Sequence, residues 1–243
     1  MPTKSYQTRN KWYDRVGREK KNSVTSTNPQ LSYQVYAKLQ EIYRQKTPSL
    51  RAQFNQINKD VDAGRSDCGT LLPEVGEHRR KVLTAKFGSR KYEEEGRAQL
   101  TRVLMAYVVR NPTPGYVQGM NYICAFMLSF MDEEKTFWTF CALIEDLRLR
   151  DFYSHAMTGL QVTVELMCEL IAVALPDVSA LFPDYDGFQL FTQLLVSKLF
   201  IGCFVNYTNL STNILIWDQL FAGKRVAGSG ETFLVYALLG RYT

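Results

Sequence analysis

Histidine is nearly absent: the chain of 243 residues holds two, His78 and His155. Neither a histidine-rich metal site nor a histidine-based catalytic triad is expected. The five cysteines, Cys68, Cys124, Cys141, Cys168 and Cys203, include no CxxC pair. Four of them lie in apolar segments and read as small core residues, which fits a reducing, intracellular compartment. There is no Walker-type phosphate loop. Ala222-Gly223-Lys224-Arg225 lacks both the spaced first glycine and the hydroxyl residue. A glycine-flanked nucleophilic serine between strand and helix is missing too. The chain is therefore not expected to bind a nucleotide by itself. Residues 1–30 contain no apolar stretch, so no signal peptide is expected, and the sequons at Asn206 and Asn209 are chance matches. The longest apolar run, residues 188–205, is interrupted by Gln189, Gln193 and Lys198. It reads as a buried helix rather than a membrane span.

What is present is helix. Hydrophobic residues make up 46% of the chain, enough at this length for one large core. Residues 31–43 carry Tyr33, Tyr36, Leu39 and Ile42 at helical spacing, and Phe54, Ile57 and Val61 continue an apolar stripe. A charged stretch at 74–97 reads as a long loop with a short helix. Further helices are expected over 96–110, 120–131, 133–147, 160–175, 188–205, 211–221 and 231–239. Asp132 is placed to cap the third of these, and Pro176 to stop the fourth. Period-2 alternation and fixed-period repeats are both lacking. The expectation is one all-α domain over 31–243, with its last helix cut short of a natural domain end.

The formal charge is +5, and its location matters more than its size. Lys4, Arg9, Lys11, Arg15, Arg18, Lys20 and Lys21 are opposed in residues 1–25 only by Asp14 and Glu19. The remainder of the chain is formally neutral. Residues 1–30 are expected to be a flexible basic tail, able to touch an acidic membrane surface weakly. No nucleic-acid motif accompanies it, so a nucleic-acid partner is not expected.

The most informative stretch is Tyr116-Val117-Gln118-Gly119-Met120-Asn121. It follows the turn Asn111-Pro112-Thr113-Pro114-Gly115 and opens an apolar helix. A glutamine carries a donor and an acceptor on one planar group, so it can hold a water in a fixed direction. Phosphoanhydride hydrolysis asks for little else from a protein, because positioning and electrostatics supply most of the catalysis. A lone glutamine at a helix start is ordinarily structural, and two other features stand beside it. One is Gln56-Ile57-Asn58-Lys59-Asp60-Val61, with Arg65 close behind. The other is Ile216-Trp217-Asp218.

In these segments the chain resembles the TBC domain, the catalytic module of Rab GTPase-activating proteins. Its wording is most like the growth-hormone-regulated TBC subgroup. The likeness covers residues 56–239 and is densest over 100–161. That part includes Asn111, residues 115–121, Glu133-Glu134, Phe137-Trp138, Phe152-Tyr153 and Gly159-Leu160. It resumes at Pro176, residues 195–197, Phe204-Val205 and residues 216–218. The resemblance implies an all-helical fold and a borrowed form of catalysis, in which a glutamine and an arginine are supplied in trans to a Rab GTPase in its GTP-bound state.

On that resemblance Gln118 is the glutamine. Asp60 braces the arginine loop, and Tyr116, Gly119, Met120 and Asn121 shape the glutamine turn. The family's arginine position falls on Ala63, and Arg65 is the candidate to replace it, with Gly64 giving the backbone room to redirect it. A binding module without catalysis is the alternative that Ala63 suggests. Two further departures are Leu199, where the family has tryptophan, and Leu215, where it has arginine. The family's N-terminal tryptophan helix is not evident before Gln56. GTP and Mg²⁺ would come with the partner, so no cofactor of the chain's own is implied. The implied location is cytoplasmic, at the periphery of endomembranes.

Overall fold

The structure is a computed structural model that describes residues 10–24, 37–39, 41, 50–62, 77, 81, 92–147, 149–154, 156–205 and 207–222. These residues are helical or in turns, with no strand among them. In chain order the helices are α1 (Asn10–Trp12), a π-helical turn (Tyr13–Gly17), α2 (Arg18–Val24), α3 (Arg51–Asp62), α4 (Tyr92–Arg110), α5 (Met120–Leu128) and α6 (Glu133–Glu145). A 3₁₀ turn (Leu149–Tyr153), α7 (Thr158–Ala174), α8 (Pro176–Ser179), α9 (Tyr185–Ile201) and α10 (Leu210–Ala222) follow.

The centre is built by α4, α5 and α6. Leu100, Val103, Leu104, Tyr107 and Val108 turn the inner face of α4 onto this core. Helix α5 is apolar all round and buried almost throughout, as expected of a helix surrounded by protein. Helix α6 starts where its cap predicts: the Asp132 carboxylate accepts from the Lys135 backbone N–H at 2.9 Å. Arg102 on α4 ties the start of α6 with a two-pronged grip on Glu133, at 2.8 and 2.6 Å.

The N-terminal segment differs from expectation. Residues 10–24 are helical, and Trp12 and Val16 are wholly buried. The Trp12 ring sits 5.2 Å from Trp217, 5.7 Å from Phe130 and 5.7 Å from Phe221, centroid to centroid. Its indole N–H donates to the Asp218 carboxylate at 2.7 Å. The basic residues are engaged as well. Lys11 reaches the other Asp218 oxygen at 2.7 Å and Arg15 the Asp218 carbonyl at 3.0 Å. Lys20 lies between Glu145 and Asp146, Lys21 pairs with Glu134, and Arg18 pairs with Asp14. The reading of residues 1–30 as a flexible basic tail is thus corrected for residues 10–24. Few aromatics suffice for order here: a basic helix can dock through a single large apolar anchor, Trp12, while its long side chains reach carboxylates at the rim.

Smaller differences concern boundaries. The helix expected from 96 begins at Tyr92. Pro176 ends α7 as expected, yet also opens α8, because proline suits the first turn of a new helix. Helix α9 begins at Tyr185, capped by Asp184, whose carboxylate accepts from Gly187 N at 2.8 Å. The helix expected at 31–43 is described only at 37–39 and 41, all helical. The expected helix at 231–239 and most of the charged stretch at 74–97 lie outside the described residues.

Candidate functional site

The glutamine turn hangs between α4 and α5 and is held from three sides. From α6, Glu145 accepts two bonds from the Arg110 guanidinium, each 3.1 Å, and one from the Asn111 amide at 3.0 Å. Lys20 adds its ammonium at 2.6 Å. Burial alone would raise the Glu145 pKa. The bonds from Arg110 and Lys20 outweigh it and hold the carboxyl below its ordinary value. The end of α4 is thereby fixed at the point where the turn departs.

From α3, three side chains spaced along one face reach across. Gln53 accepts from the Tyr116 backbone N–H at 2.9 Å and donates to the Pro112 carbonyl at 3.4 Å. Asp60 is fully buried and accepts from the Tyr116 hydroxyl at 2.8 Å. The Gln56 amide donates to the other Asp60 oxygen at 3.0 Å. Burial first, then the bond to Asp60, raises the Tyr116 pKa far above the ordinary phenol value. The phenol therefore stays a donor across the physiological range.

From α9, Ile201 closes over Gly119. Gly119 has φ +108°, and a Cβ there would collide with the Ile201 side chain. Only glycine fits such a backbone next to such a neighbour. The Ile201 carbonyl is anchored by the Tyr153 hydroxyl at 2.8 Å. Gly115, with φ +77°, stands equally close to Gln53. The peptide between Thr113 and Pro114 is cis, and the Thr113 carbonyl accepts from Arg150 at 2.9 Å.

Inside the turn, Gly119 N donates to the buried Asn121 side chain at 3.0 Å, and Val117 N faces the Met120 sulfur at 3.4 Å. Tyr116, Gly119, Met120 and Asn121 are all buried, whereas Gln118 between them is exposed. Its side-chain amide hydrogen-bonds to none of the described residues. The result is a braced loop that presents one exposed amide to the outside, just ahead of the first turn of α5. Such an arrangement can orient a small polar species brought by another molecule.

The structure brings Asp60, Tyr116, Gly119, Met120 and Asn121 together around Gln118. Ala63 and Arg65 lie outside the described residues, beginning directly after α3 ends at Asp62. The Ile216-Trp217-Asp218 triplet belongs elsewhere. Ile216 and Trp217 are buried, the Trp217 indole donates to the Cys203 carbonyl at 2.9 Å, and Asp218 latches the N-terminal helix. Leu215 stands exposed beside it, and Leu199 is partly buried against the core. Gln53 and Glu145 went unnoticed in the sequence. Gln53 could have been found from its spacing: it lies one turn before Ile57 and two turns before Asp60. Nothing marks Glu145 without knowing that α2, α4 and α6 meet.

Comparison with known proteins identifies a family. The model of the Rab-GTPase-TBC domain matches residues 8–240 and so takes in the N-terminal helix as well as the glutamine turn. The rat growth hormone-regulated TBC protein 1 is 42% identical over 123 residues, 50% of this chain and 41% of that protein. Its human counterpart is 40% identical over 123 residues, 50% of this chain and 35% of that protein. TBC1 domain family member 2B of Xenopus tropicalis is 33% identical over 133 residues, 54% of this chain and 14% of that protein. The matched region thus spans well under half the length of these relatives. No solved structure matches the chain significantly. With nearly its whole length matched, the chain belongs to the Rab-GTPase-TBC domain family.

Proposed function

We propose that this chain accelerates GTP hydrolysis by a Rab-family GTPase. The observation that carries the reading is a braced turn that exposes Gln118 between the buried residues Tyr116 and Gly119, in a chain of this family. In this reading Gln118 orients the attacking water, its amide accepting from the water and donating toward the phosphoryl oxygens. Arg65 neutralises charge that grows on the transferring phosphoryl group. Asp60 and Tyr116 act through the backbone, holding α3 and the glutamine turn at a fixed separation. Gly119, Met120 and Asn121 set the direction in which Gln118 leaves the turn. The GTPase brings GTP and Mg²⁺, and the chain contributes side chains only. It would act on the GTP-bound form, at the cytoplasmic face of an endomembrane, with weak contact between the basic N-terminal residues and acidic lipid as a further expectation.

An arginine supplied in trans is worth about 10³–10⁵ in turnover. That equals roughly 4–7 kcal/mol of transition-state stabilisation. The presence of Ala63 at the family's arginine position favours a second reading, a module that binds the GTP-bound Rab without accelerating it. One experiment separates the two: GTP turnover by a panel of Rab proteins with catalytic amounts of this chain. Stimulation of at least one Rab supports the first reading. A flat response across the panel, with GTP-dependent binding retained, would leave the second.

A further inference from the structure

Most large apolar side chains that the described residues leave exposed fall in one part of the fold. On α7 they are Val162 (64% exposed), Leu166 (44%) and Val173 (84%), spaced along a single stripe. On α9 they are Leu190 (58%), Phe191 (39%) and Leu194 (54%). The two helices pack against each other. Tyr185, itself 59% exposed, joins the stripes: its side chain hydrogen-bonds that of Cys168 and lies in the field of Glu165 and Glu169. Leu175 and Leu181 extend the apolar surface around α8. Single exposed leucines are ordinary in proteins, but this many on two packed helices points to a contact surface.

The charge on these helices is mostly acidic, with Lys198, exposed one turn after Leu194, as the exception on α9. Between Arg150 and Lys198 the sequence has no lysine or arginine, although the whole chain carries 29. The same stretch carries Asp151, Glu165, Glu169, Asp177, Asp184 and Asp186. All six are exposed. An acidic rim repels a second copy of the same face, and it repels an anionic membrane. It favours an occupant whose apolar stripe is flanked by lysine and arginine. Apolar stripes on two packed helices suit the apolar face of an amphipathic helix.

We infer that the α7–α9 face docks a basic amphipathic helix of a partner protein. The apolar stripe of that helix covers Val162, Leu166, Leu190 and Leu194, and its lysines and arginines meet Glu165, Glu169 and Asp186. This site is separate from Gln118 and needs no GTPase chemistry.

The test uses the full chain and two peptides of roughly 20 residues, long enough to be helical. One is built of leucine and lysine, the other of leucine and glutamate in the same pattern. The expected result is that the leucine–lysine peptide binds at least about tenfold tighter, and that salt from about 0.05 to 0.5 M weakens it. Hydrogen exchange should slow in α7 and α9. Leu190→Glu with Leu194→Glu should abolish binding; both positions are exposed, so the fold should tolerate them. Glu165→Lys with Glu169→Lys should shift preference toward the leucine–glutamate peptide. Equal binding of both peptides would overturn the inference, as would protection outside α7 and α9. So would a dimer of the chain, or anionic vesicles, protecting this face when the basic peptide does not.

Discussion

Replacing Tyr116 by phenylalanine removes one oxygen atom and leaves the ring. That oxygen donates to Asp60 at 2.8 Å, and the Asp60 carboxylate is fully buried. A hydrogen bond to a charged, buried acceptor is worth about 1.5–3 kcal/mol. Tyr116 itself is 9% exposed, so water can replace the lost donor only by entering the turn. The expected loss of stability is therefore about 2 kcal/mol, or a drop in Tm of roughly 4–8 °C for a domain of this size. The Gln56 amide still holds the other Asp60 oxygen at 3.0 Å, which keeps the loss from growing larger. Urea unfolding of the wild type and Tyr116→Phe, followed by tryptophan fluorescence, measures it. The same variant should lower stimulated GTP turnover, since a shift of about one ångström in a positioned group can cost a hundredfold. The pH dependence carries a definite sign. The folded-state pKa of Tyr116 is raised above its unfolded value, so its contribution is complete below about pH 10 and fades at higher pH. Tyr116→Phe should flatten that alkaline loss. A variant equal to the wild type in urea midpoint and in turnover would refute the bracing role.

Trp12→Ala should cost about 3–5 kcal/mol, the usual range for emptying a fully buried aromatic site, and would test the docked N-terminal helix by urea unfolding. Gly119→Ala should destabilise by about 1–3 kcal/mol from backbone strain alone, since φ is +108°; the contact with Ile201 adds to it, and a Tm decrease with loss of stimulated turnover checks it. Glu145 has a lowered pKa, so its stabilisation is present above about pH 4.3 and is lost as acid protonates it. Glu145→Gln should therefore lower stability at neutral pH and weaken its acid dependence, read from urea midpoints between about pH 3 and about pH 7, which brackets the unfolded carboxylate value.

Much of the fold was legible because helical periodicity and punctuation agree. Asp132 caps α6 as its position implied, and Pro176 stops α7. The glutamine turn was legible for a similar reason: Pro and Gly residues lead into an apolar helix, and the single polar residue between them faces outward. The N-terminal helix was hidden because it owes its order to distant partners. Trp12 finds Trp217, Phe221 and Asp218 about two hundred residues away, and no local pattern announces that contact. Gln53 was hidden differently. A polar residue on α3 looks solvated until the turn it clamps is placed beside it. The Ile216-Trp217-Asp218 triplet had the look of a site and proved to be a latch, since an aspartate beside a buried tryptophan serves equally well to receive an indole and an ammonium.

The proposed role of Gln118 is to act on a partner's GTP from a turn that stays rigid. Its most direct measurement is kcat/KM for GTP hydrolysis by a responsive Rab, with the wild-type chain and with Gln118→Ala. Gln118 is exposed and its amide hydrogen-bonds to none of the described residues, so the substitution should leave the unfolding midpoint unchanged. Stimulation should fall on the order of a hundredfold or more with folding intact. Stimulation that survives Gln118→Ala undiminished would contradict it.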